Sequence, residues 1–305
     1  MYELIIVGGG PGGAAAGVYA ARKKIKTVLI TDNFGGQSLV SADVQNWIGT
    51  KSVSGFDLGK MLEEHLRAQE DMEITDGDLV KSVEEKNDGL LVKTENGAEF
   101  ETKFLLLASG SRRRKLGVPG ERELDGKGVA YCATCDAPIF KNKVVAVVGG
   151  GNSGVESVID LLPYASKIFL FEYAEALKGD PITQAKIKDN PQVEIITMAE
   201  TTRVLGEEKV TGLEYKDLKT GELKNLDVGG VFVEIGILPN SEIVKDLVKL
   251  NEYGEVIVDH KTQATSHPRI WAVGDVTDVL YKQNNISAGD AVKAVLNIDE
   301  ILHKK

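Results

Sequence analysis

Two stretches of the chain repeat one pattern of apolar, glycine-rich and helix-compatible residues. The apolar run YELIIV at 2–7 is followed directly by GGGPGG at 8–13 and then by an alanine-rich segment. The run KVVAVV at 143–148 is followed in the same way by GGGNSG at 149–154 and a second helix-compatible segment. An unbroken apolar run is typical of a strand buried on both faces. Each stretch therefore predicts a strand, a tight glycine turn and a helix.

Glycines at these spacings, between a strand and a helix, are typical of dinucleotide-binding sites. The first glycine makes the turn, the second lets a pyrophosphate approach the backbone, and the third lets the helix pack on the strand. The helix N-terminus carries a partial positive charge that favours the phosphates. One such turn is often merely structural, but two copies in the same context argue against that alternative. The predicted cofactor contacts of this motif are Gly8, Gly10 and Gly13 in the first turn and Gly149, Gly151 and Gly154 in the second.

An acidic residue follows the second apolar strand of each repeat. These residues are Asp32 in the first repeat and Glu172 in the second. A carboxylate at this position accepts hydrogen bonds from the ribose hydroxyls of NAD and repels the 2′-phosphate of NADP. Glu172 therefore predicts a site that prefers NADH over NADPH, and the first site, with Asp32 as its ribose ligand, would hold FAD. Two such sites in one chain predict a flavoprotein that passes electrons between a nicotinamide and a flavin.

Length and charge limit the possible partners. The chain has 305 residues, about twice a typical domain of ~150 residues. It carries 36 basic and 46 acidic side chains, a net charge of −10, which would repel nucleic acid and anionic membranes. No run approaches the ~18 apolar residues that span a bilayer, and no signal peptide is evident at the N-terminus. We expect a cytoplasmic protein whose partners are small molecules and proteins.

The two cysteines of the chain, Cys132 and Cys135, have C-x-x-C spacing. They are too few for the disulfide scaffold of a secreted protein, but they can close a redox-active disulfide across a short turn. Asp136 follows directly. It is predicted to act as a general acid, to cap the following turn, or to do both. Zinc is the alternative for the pair, but it normally needs four ligands and the four histidines form no ligand-spaced cluster. No metal is therefore expected.

The order of the motifs along the chain resembles the low-molecular-weight thioredoxin reductases, from about residue 2 to about residue 302. The nicotinamide half, including FEYA at 171–174, more closely resembles the reductase part of the alkyl hydroperoxide reductase flavoprotein. NADPH-dependent thioredoxin reductases usually have a His-Arg-Arg segment there, so this difference also favours NADH. The motifs that carry the resemblance, besides the two glycine turns, are GGQ at 35–37, NW at 46–47, CATCD at 132–136, GILPN at 236–240 and GD at 274–275.

The resemblance implies an α/β protein with two Rossmann-like, three-layer β-β-α dinucleotide-binding domains, the second inserted into the first. The FAD-binding domain would comprise residues 1–112 and 239–305, and the NAD(P)H-binding domain with its redox C-x-x-C residues 113–238. The implied activity is that of a pyridine nucleotide-disulfide oxidoreductase of the thioredoxin-disulfide reductase type. A homodimer is implied as well.

Site residues are also implied by the resemblance. Cys135 would meet the flavin, Cys132 would attack the partner's disulfide, and Asp136 would protonate a departing thiolate. The additional flavin contacts would be Gly35, Gly36, Gln37, Asn46, Gly274, Asp275 and Gln283. Asn152 and Ser153 would be additional contacts of the nicotinamide nucleotide.

The acceptor is expected to be a separate thioredoxin- or glutaredoxin-like protein. The related alkyl hydroperoxide flavoprotein has an N-terminal thioredoxin-like extension, whereas this chain begins with the first strand. Three alternatives remain open: a reductase that feeds a peroxidase, a reductase driven by ferredoxin or reduced flavin, and a non-enzymatic flavin sensor of redox state.

Overall fold

The computed structural model describes residues 1–41 and 43–304. Ala42 and Lys305, which belong to the two predicted parts of the FAD-binding domain, lie outside the described residues. The chain divides into two units. Unit 1 comprises Met1–Leu39, Asn46–Arg112 and Leu238–Lys305, and unit 2 comprises Val40–Gln45 and Arg113–Ile237. The short segment Val40–Gln45 therefore groups with unit 2, which the sequence does not predict.

Unit 1 is built on a seven-stranded sheet flanked by helices. Numbered along the chain, the strands are β1 (Tyr2–Gly9), β2 (Thr27–Phe34), β3 (Glu73–Asp76), β4 (Val80–Lys86), β5 (Gly89–Thr94), β6 (Glu99–Leu107) and β17 (Ile270–Ala272), and the helices are α1 (Pro11–Arg22), α2 (Gly55–Arg67) and α6 (Asn284–His303). The strand order is β3-β2-β1-β6-β5-β4, and β17 also pairs with β6. The strands β1, β2, β3, β6 and β17 run parallel to their neighbours in this part of the sheet, and β5 pairs antiparallel with β4 and β6.

The central strand β1 is buried on both faces. Leu4 and Ile6 belong to the cluster that contains the inner residues of α1 and α6, whereas Ile5 and Val7 belong to the cluster on the opposite face of the sheet. Successive side chains of a strand point to opposite faces, so a strand covered on both sides has an unbroken apolar sequence. This burial is the physical reason for the apolar run at 2–7.

Unit 2 contains a parallel five-stranded sheet and an antiparallel three-stranded sheet. The strands are β8 (Val129–Ala130), β9 (Val144–Val148), β10 (Lys167–Glu172), β11 (Val193–Thr197), β12 (Ala199–Gly206), β13 (Val210–Asp217), β14 (Leu223–Asp227) and β15 (Val231–Val233), and the helices are α3 (Ala133–Asp136), α4 (Asn152–Leu161) and α5 (Pro181–Lys188). The parallel sheet has the order β11-β10-β9-β15-β8, and the antiparallel sheet the order β12-β13-β14. Two further strands, β7 (Ser111–Arg113) and β16 (Ile237–Pro239), pair with each other where the chain passes between the units.

The predicted α/β class is confirmed, since each unit has a sheet with a run of parallel strands, and a strand of that run leads through a glycine turn into a helix. Among the residues that the structure describes, no helix is both long enough and apolar enough to cross a membrane.

Candidate functional site

The first glycine turn connects β1 to α1 and has no room for side chains at several of its positions, Gly8 and Gly13 among them. Gly8 has a φ of 109°, and a Cβ there would collide with the carbonyl oxygen of Ala108. A Cβ on Gly13 would collide with the carbonyl oxygen of Gly8. Gly10 differs, because its φ is −69° and the nearest atom to a Cβ would be the Gly36 Cα at 4.0 Å. The turn is therefore tightly packed at Gly8 and Gly13 and has open space beside Gly10, where a phosphate would approach.

The second turn, between β9 and α4, has the same geometry. Gly149 has a φ of 121°, and a Cβ on Gly154 would collide with its carbonyl oxygen. Gly151, the counterpart of Gly10, has a φ of −79° and open space around a Cβ. Neither α1 nor α4 receives a side-chain N-cap from the described residues, so the first N–H groups of both helices are available for an anion.

Residues distant in sequence meet around the first turn at the start of α6. Asn46 donates a hydrogen bond from Nδ2 to Gln283 Oε1 at 3.3 Å. A Cβ on Gly274 would lie 2.7 Å from Ser287 Oγ, and a Cβ on Gly12 would lie 3.4 Å from the Ser287 carbonyl oxygen. The N-terminal ends of α1 and α6 therefore lie close together, with Gly274 packed against the first turns of α6.

The segment after β2 completes this arrangement. Gly35 donates its N–H to the Gly9 carbonyl at 3.0 Å, and Asn284 Nδ2 donates to Ser38 Oγ at 2.9 Å. Gln37 is exposed beside these contacts. All of the predicted flavin contacts lie in unit 1, namely Gly8, Gly10, Gly13, Asp32, Gly35, Gly36, Gln37, Asn46, Gly274, Asp275 and Gln283.

Asp32 lies one residue beyond the position that matches Glu172. Strand pairing beside each turn makes Thr31 the counterpart of Glu172. Thr31 is buried, and its Oγ1 would lie 2.7 Å from a Cβ on Gly9. Asp32 is exposed and accepts a hydrogen bond from Asn33 Nδ2 at 2.9 Å. Successive side chains alternate in direction along a strand, so Asp32 points away from the side that Glu172 faces in unit 2, and its role as a ribose ligand stays a prediction.

Glu172 is held at the second glycine turn by two backbone hydrogen bonds. Its Oε2 accepts the N–H of Gly150 at 2.7 Å, and its Oε1 accepts the N–H of Ala174 at 2.8 Å. A Cβ at position 150 would lie 2.6 Å from Oε2, so glycine is needed there for the carboxylate to approach. Each carboxylate oxygen has a second lone pair, so the side chain can also accept hydrogen bonds from a ligand.

The other predicted nicotinamide contacts surround this carboxylate in unit 2. Asn152 Oδ1 accepts the N–H of Asp180 at 2.7 Å, which fixes the loop that precedes α5 against the turn. Ser153 is exposed in the first turn of α4. The structure therefore brings Gly149, Gly151, Asn152, Ser153, Gly154 and Glu172 together at one edge of the parallel sheet.

Cys132 and Cys135 form a disulfide across the first turn of α3, with 5.3 Å between their Cα atoms. Both residues are half-buried. Thr134, between them, is exposed and donates a hydrogen bond to Asp160 Oδ2 at 2.6 Å. Within the described parts of the chain, no group of three or more His, Cys, Asp or Glu side chains could hold a metal ion.

Asp136 is a half-buried carboxyl group directly after the disulfide. Burial raises its pKa to about 6, against the lowering effects of a hydrogen bond from Ser41 and the positive charge of Arg113. Ser41 Oγ donates this bond to Oδ1 at 3.1 Å. The Asp136 side chain makes no capping hydrogen bond to the described 3₁₀ helix that follows, so its predicted capping role is wrong. A carboxyl group with a pKa in this range can give up a proton near neutral pH.

A second carboxyl group near the disulfide, that of Glu234, is missed by the sequence analysis. Its Oε2 lies 4.0 Å from Arg113 Nη1, and the residue is 6% exposed. Its carboxyl also accepts hydrogen bonds from the Ser157 hydroxyl and from the N–H of Ala133. The only signal in the sequence is a single acidic residue inside the apolar run VFVEI at 231–235.

The chain is similar to known proteins over nearly its whole length. Residues 2–293 match the sequence model of the family described as pyridine nucleotide-disulphide oxidoreductase. The chain is 44% identical over 296 residues to the F subunit of alkyl hydroperoxide reductase in Staphylococcus aureus strain Mu50. That match covers 97% of this chain and 58% of the relative, so the chain spans less than two thirds of the length of the curated relatives it matches.

Solved structures agree with this similarity. Thioredoxin reductase from Streptococcus pyogenes MGAS5005 is 33% identical with a TM-score of 0.90, over 99% of this chain and 98% of that one. Thioredoxin reductase from Giardia duodenalis is 28% identical with a TM-score of 0.90, over 99% of each chain.

Proposed function

This chain belongs to the pyridine nucleotide-disulphide oxidoreductase family, and we propose that it transfers electrons from NADH through FAD and the Cys132–Cys135 disulfide to a thioredoxin- or glutaredoxin-like protein. The resemblance to thioredoxin reductases and to the alkyl hydroperoxide reductase flavoprotein, the two Rossmann-like domains and the enzyme class are confirmed. The observation that carries the proposal is a disulfide in the same unit as a complete dinucleotide-type glycine turn. The domain limits, the homodimer and the cytoplasmic location stay predictions.

The residues of the two turns fit two dinucleotides. Space is open over Gly10 and over Gly151, while the neighbouring glycines are closely packed. In unit 1 the uncapped α1 N-terminus and the polar groups of Asn46 and Gln283 would hold FAD. Bound FAD would carry two electrons from the nicotinamide to the disulfide.

The cysteines and Asp136 would carry out the exchange with the partner. Two electrons break the Cys132–Cys135 disulfide, and Cys132 reacts as the thiolate. The Cys132 thiolate then attacks the partner's disulfide, and Asp136 protonates the departing thiolate. Cys135 attacks the resulting mixed disulfide, which releases the reduced partner and re-forms the Cys132–Cys135 disulfide.

A second acceptor class is favoured by one observation. The 44% identity to the F subunit of alkyl hydroperoxide reductase suggests a reductase whose electrons pass to a peroxidase system. A comparison of turnover with oxidised thioredoxins, glutaredoxins and a peroxiredoxin would separate the two acceptor classes.

We expect the flavin of the purified protein to be reduced faster by NADH than by NADPH, by about tenfold or more, because the Glu172 side chain would repel a 2′-phosphate. Anaerobic stopped-flow absorbance of the flavin with each nucleotide measures the preference. In Glu172→Gln the negative charge is lost, so reduction by NADH should slow and the preference should shrink.

The matched control is Glu207→Gln, which neutralises an exposed carboxylate of unit 2 outside the turn. It should keep the native preference. Equal or faster reduction by NADPH in the native protein would contradict the NADH proposal. Reduction by neither nucleotide would support an electron supply from ferredoxin or reduced flavin.

Asp136→Asn should slow the reduction of an aliphatic disulfide by about 10²-fold below pH 6, the size of a typical general-acid effect. The native carboxyl is protonated below its pKa of about 6 and loses its proton above it. The ratio of the disulfide-reduction rates of native protein and variant should therefore approach one as the pH rises from 6 to 8. Steady-state turnover across this range measures it.

Two controls accompany this measurement. An aromatic disulfide whose departing thiolate needs no proton should react equally well with both proteins. Asp189→Asn, at an exposed position after α5, should leave the pH profile unchanged. A constant difference between native protein and Asp136→Asn at every pH would argue against the general-acid role.

A further inference from the structure

The buried carboxyl group of Glu234 has no part in the reaction proposed above. Glu234 follows β15, and its N–H donates to the Val148 carbonyl at the end of β9 at 2.8 Å. A Cβ on Gly149 would collide with the Glu234 carbonyl oxygen. The backbone of Glu234 therefore lies directly against the second glycine turn.

The side chain of Glu234 faces the disulfide helix α3. Its carboxyl accepts the N–H of Ala133, the residue between Cys132 and Thr134, and the hydroxyl of Ser157 from α4. Only 5% of the side chain is exposed, so few water molecules can solvate its charge. The backbone of the C-x-x-C turn at Ala133 therefore acts directly on the charge of Glu234.

Negative charges outnumber positive ones around Glu234 when every carboxyl group there is ionised. Arg113 is the cation at 4.0 Å, and its positive charge acts on both Glu234 and Asp136. Asp160, on α4, adds a further negative charge. Burial raises the pKa of Glu234 to about 7, so this carboxyl group changes its protonation near neutral pH.

A thiolate formed at the cysteine pair would shift this equilibrium further. A negative charge near a buried carboxylate raises its pKa, because the two like charges repel each other in a poorly solvated site. Reduction of the disulfide creates such a charge whenever one of the two sulfurs stays ionised. Glu234 would then take up a proton at a pH where it is ionised in the oxidised protein.

We propose that Glu234 holds the second proton that is taken up when the cysteine pair is reduced. In the balanced step, the Cys132–Cys135 bond takes up two electrons from a two-electron donor, reduced flavin or a small dithiol, and breaks. One sulfur takes one proton and becomes a thiol, the other stays a thiolate, and the Glu234 carboxylate takes the second proton. Reoxidation releases both protons. The inference rests on the reducible disulfide of the proposed function but not on its nicotinamide or its acceptor.

The test is the equilibrium between the cysteine pair and dithiothreitol, with thiols counted by alkylation and mass spectrometry. Oxidation of dithiothreitol releases two electrons and two protons. If the protein also takes up two protons, no net proton is released and the equilibrium constant does not depend on pH. If it takes up only one, a proton is released and the constant rises with pH. We expect it to change little between pH 7.5 and 8.5 for the native protein, where Glu234 is mostly ionised in the oxidised state. In Glu234→Gln, which takes up one proton, it should rise about tenfold per pH unit.

The control is Glu200→Gln, an exposed carboxylate on β12, which should behave like the native protein. The same pH dependence in Glu234→Gln and native protein would overturn the proposal. A constant offset at all pH values would also overturn it, because it would indicate a structural role only. Neither result bears on the NADH preference, so a failure here is distinct from a failure of the proposed function.

A second measurement needs no variant. The native protein is reduced with a small dithiol in weakly buffered solution at pH 7.5, with an indicator dye for the net proton change and absorbance at 240 nm for the thiolate. A thiolate signal together with an uptake of close to two protons by the protein requires a proton on a group other than sulfur, which is the expected result. The pH dependence of Glu234→Gln then separates Glu234 from Asp136, the other carboxyl group with a raised pKa beside the pair. A thiolate signal with an uptake of one proton would refute the assignment.

Discussion

Cys135→Ser should lower the turnover rate with a disulfide acceptor by about 10³-fold or more, while the flavin is still reduced by the nicotinamide. A serine hydroxyl cannot form the disulfide that receives the electron pair, and loss of a residue that forms the covalent bond has effects of at least this size. Steady-state turnover with an oxidised thioredoxin measures the loss. Anaerobic flavin bleaching with NADH shows that the first half of the reaction remains.

The two cysteines are distinguished by trapping a mixed disulfide. In Cys135→Ser the proposed attacking thiol of Cys132 remains, and no second thiol resolves its bond to the partner, so a covalent complex should accumulate. In Cys132→Ser we expect little complex, although turnover is lost to the same extent. Non-reducing electrophoresis measures the amount of covalent complex in each variant. Preferential trapping through Cys135 would reverse the assignment, and normal turnover in either variant would refute the redox role of the pair.

Gly10→Ala should fold normally and weaken FAD binding by about tenfold to a hundredfold. The backbone at Gly10 is compatible with alanine, and a Cβ would meet only the Gly36 Cα at 4.0 Å. The methyl group would enter the space over the turn, where a bound pyrophosphate approaches the backbone, and overpacking of this kind costs about 1–3 kcal/mol. Flavin absorbance of the purified protein and titration of apoprotein with FAD measure the effect.

Gly151→Ala is the reciprocal variant, because its position in the second turn is equally open. It should keep its FAD and bind NADH more weakly, by a similar factor. Circular dichroism and thermal unfolding verify the fold of both variants. Gly13→Ala would be uninformative, since its Cβ collides with the Gly8 carbonyl and the turn itself would move. Full FAD content with native affinity in Gly10→Ala would exclude this turn as the flavin site.

Local sequence was sufficient for the two glycine turns and the disulfide. The contact that excludes a side chain at Gly13 is with Gly8, and the equivalent contact joins Gly154 to Gly149. Cys132 and Cys135 likewise meet across a single turn of chain. Interactions over so few residues depend on backbone geometry that glycine spacing and C-x-x-C spacing largely determine, so the sequence predicts them well.

The positions of Asp32 and Asp136 show where local patterns stop being informative. An acidic residue after a strand can be recognised from the sequence, but the side it faces depends on the strand register, and a shift of one residue reverses it. Thr31 therefore matches Glu172, and Asp32 does not. The raised pKa of Asp136 likewise depends on its burial, and Ser41, which hydrogen-bonds its carboxyl, comes from a distant segment of the chain.

By itself, the sequence determined the α/β class, the family, the redox cysteine pair and the carboxylate of Glu172 at the second turn, because each depends on contiguous residues or on their order. Only the tertiary structure decided that Val40–Gln45 groups with unit 2 and that the Glu234 carboxyl lies near Ala133 of the C-x-x-C turn and 4.0 Å from Arg113. The burial and pKa of a single carboxyl group depend on desolvation and charge from strands and helices far apart in the chain, and no local pattern encodes that environment.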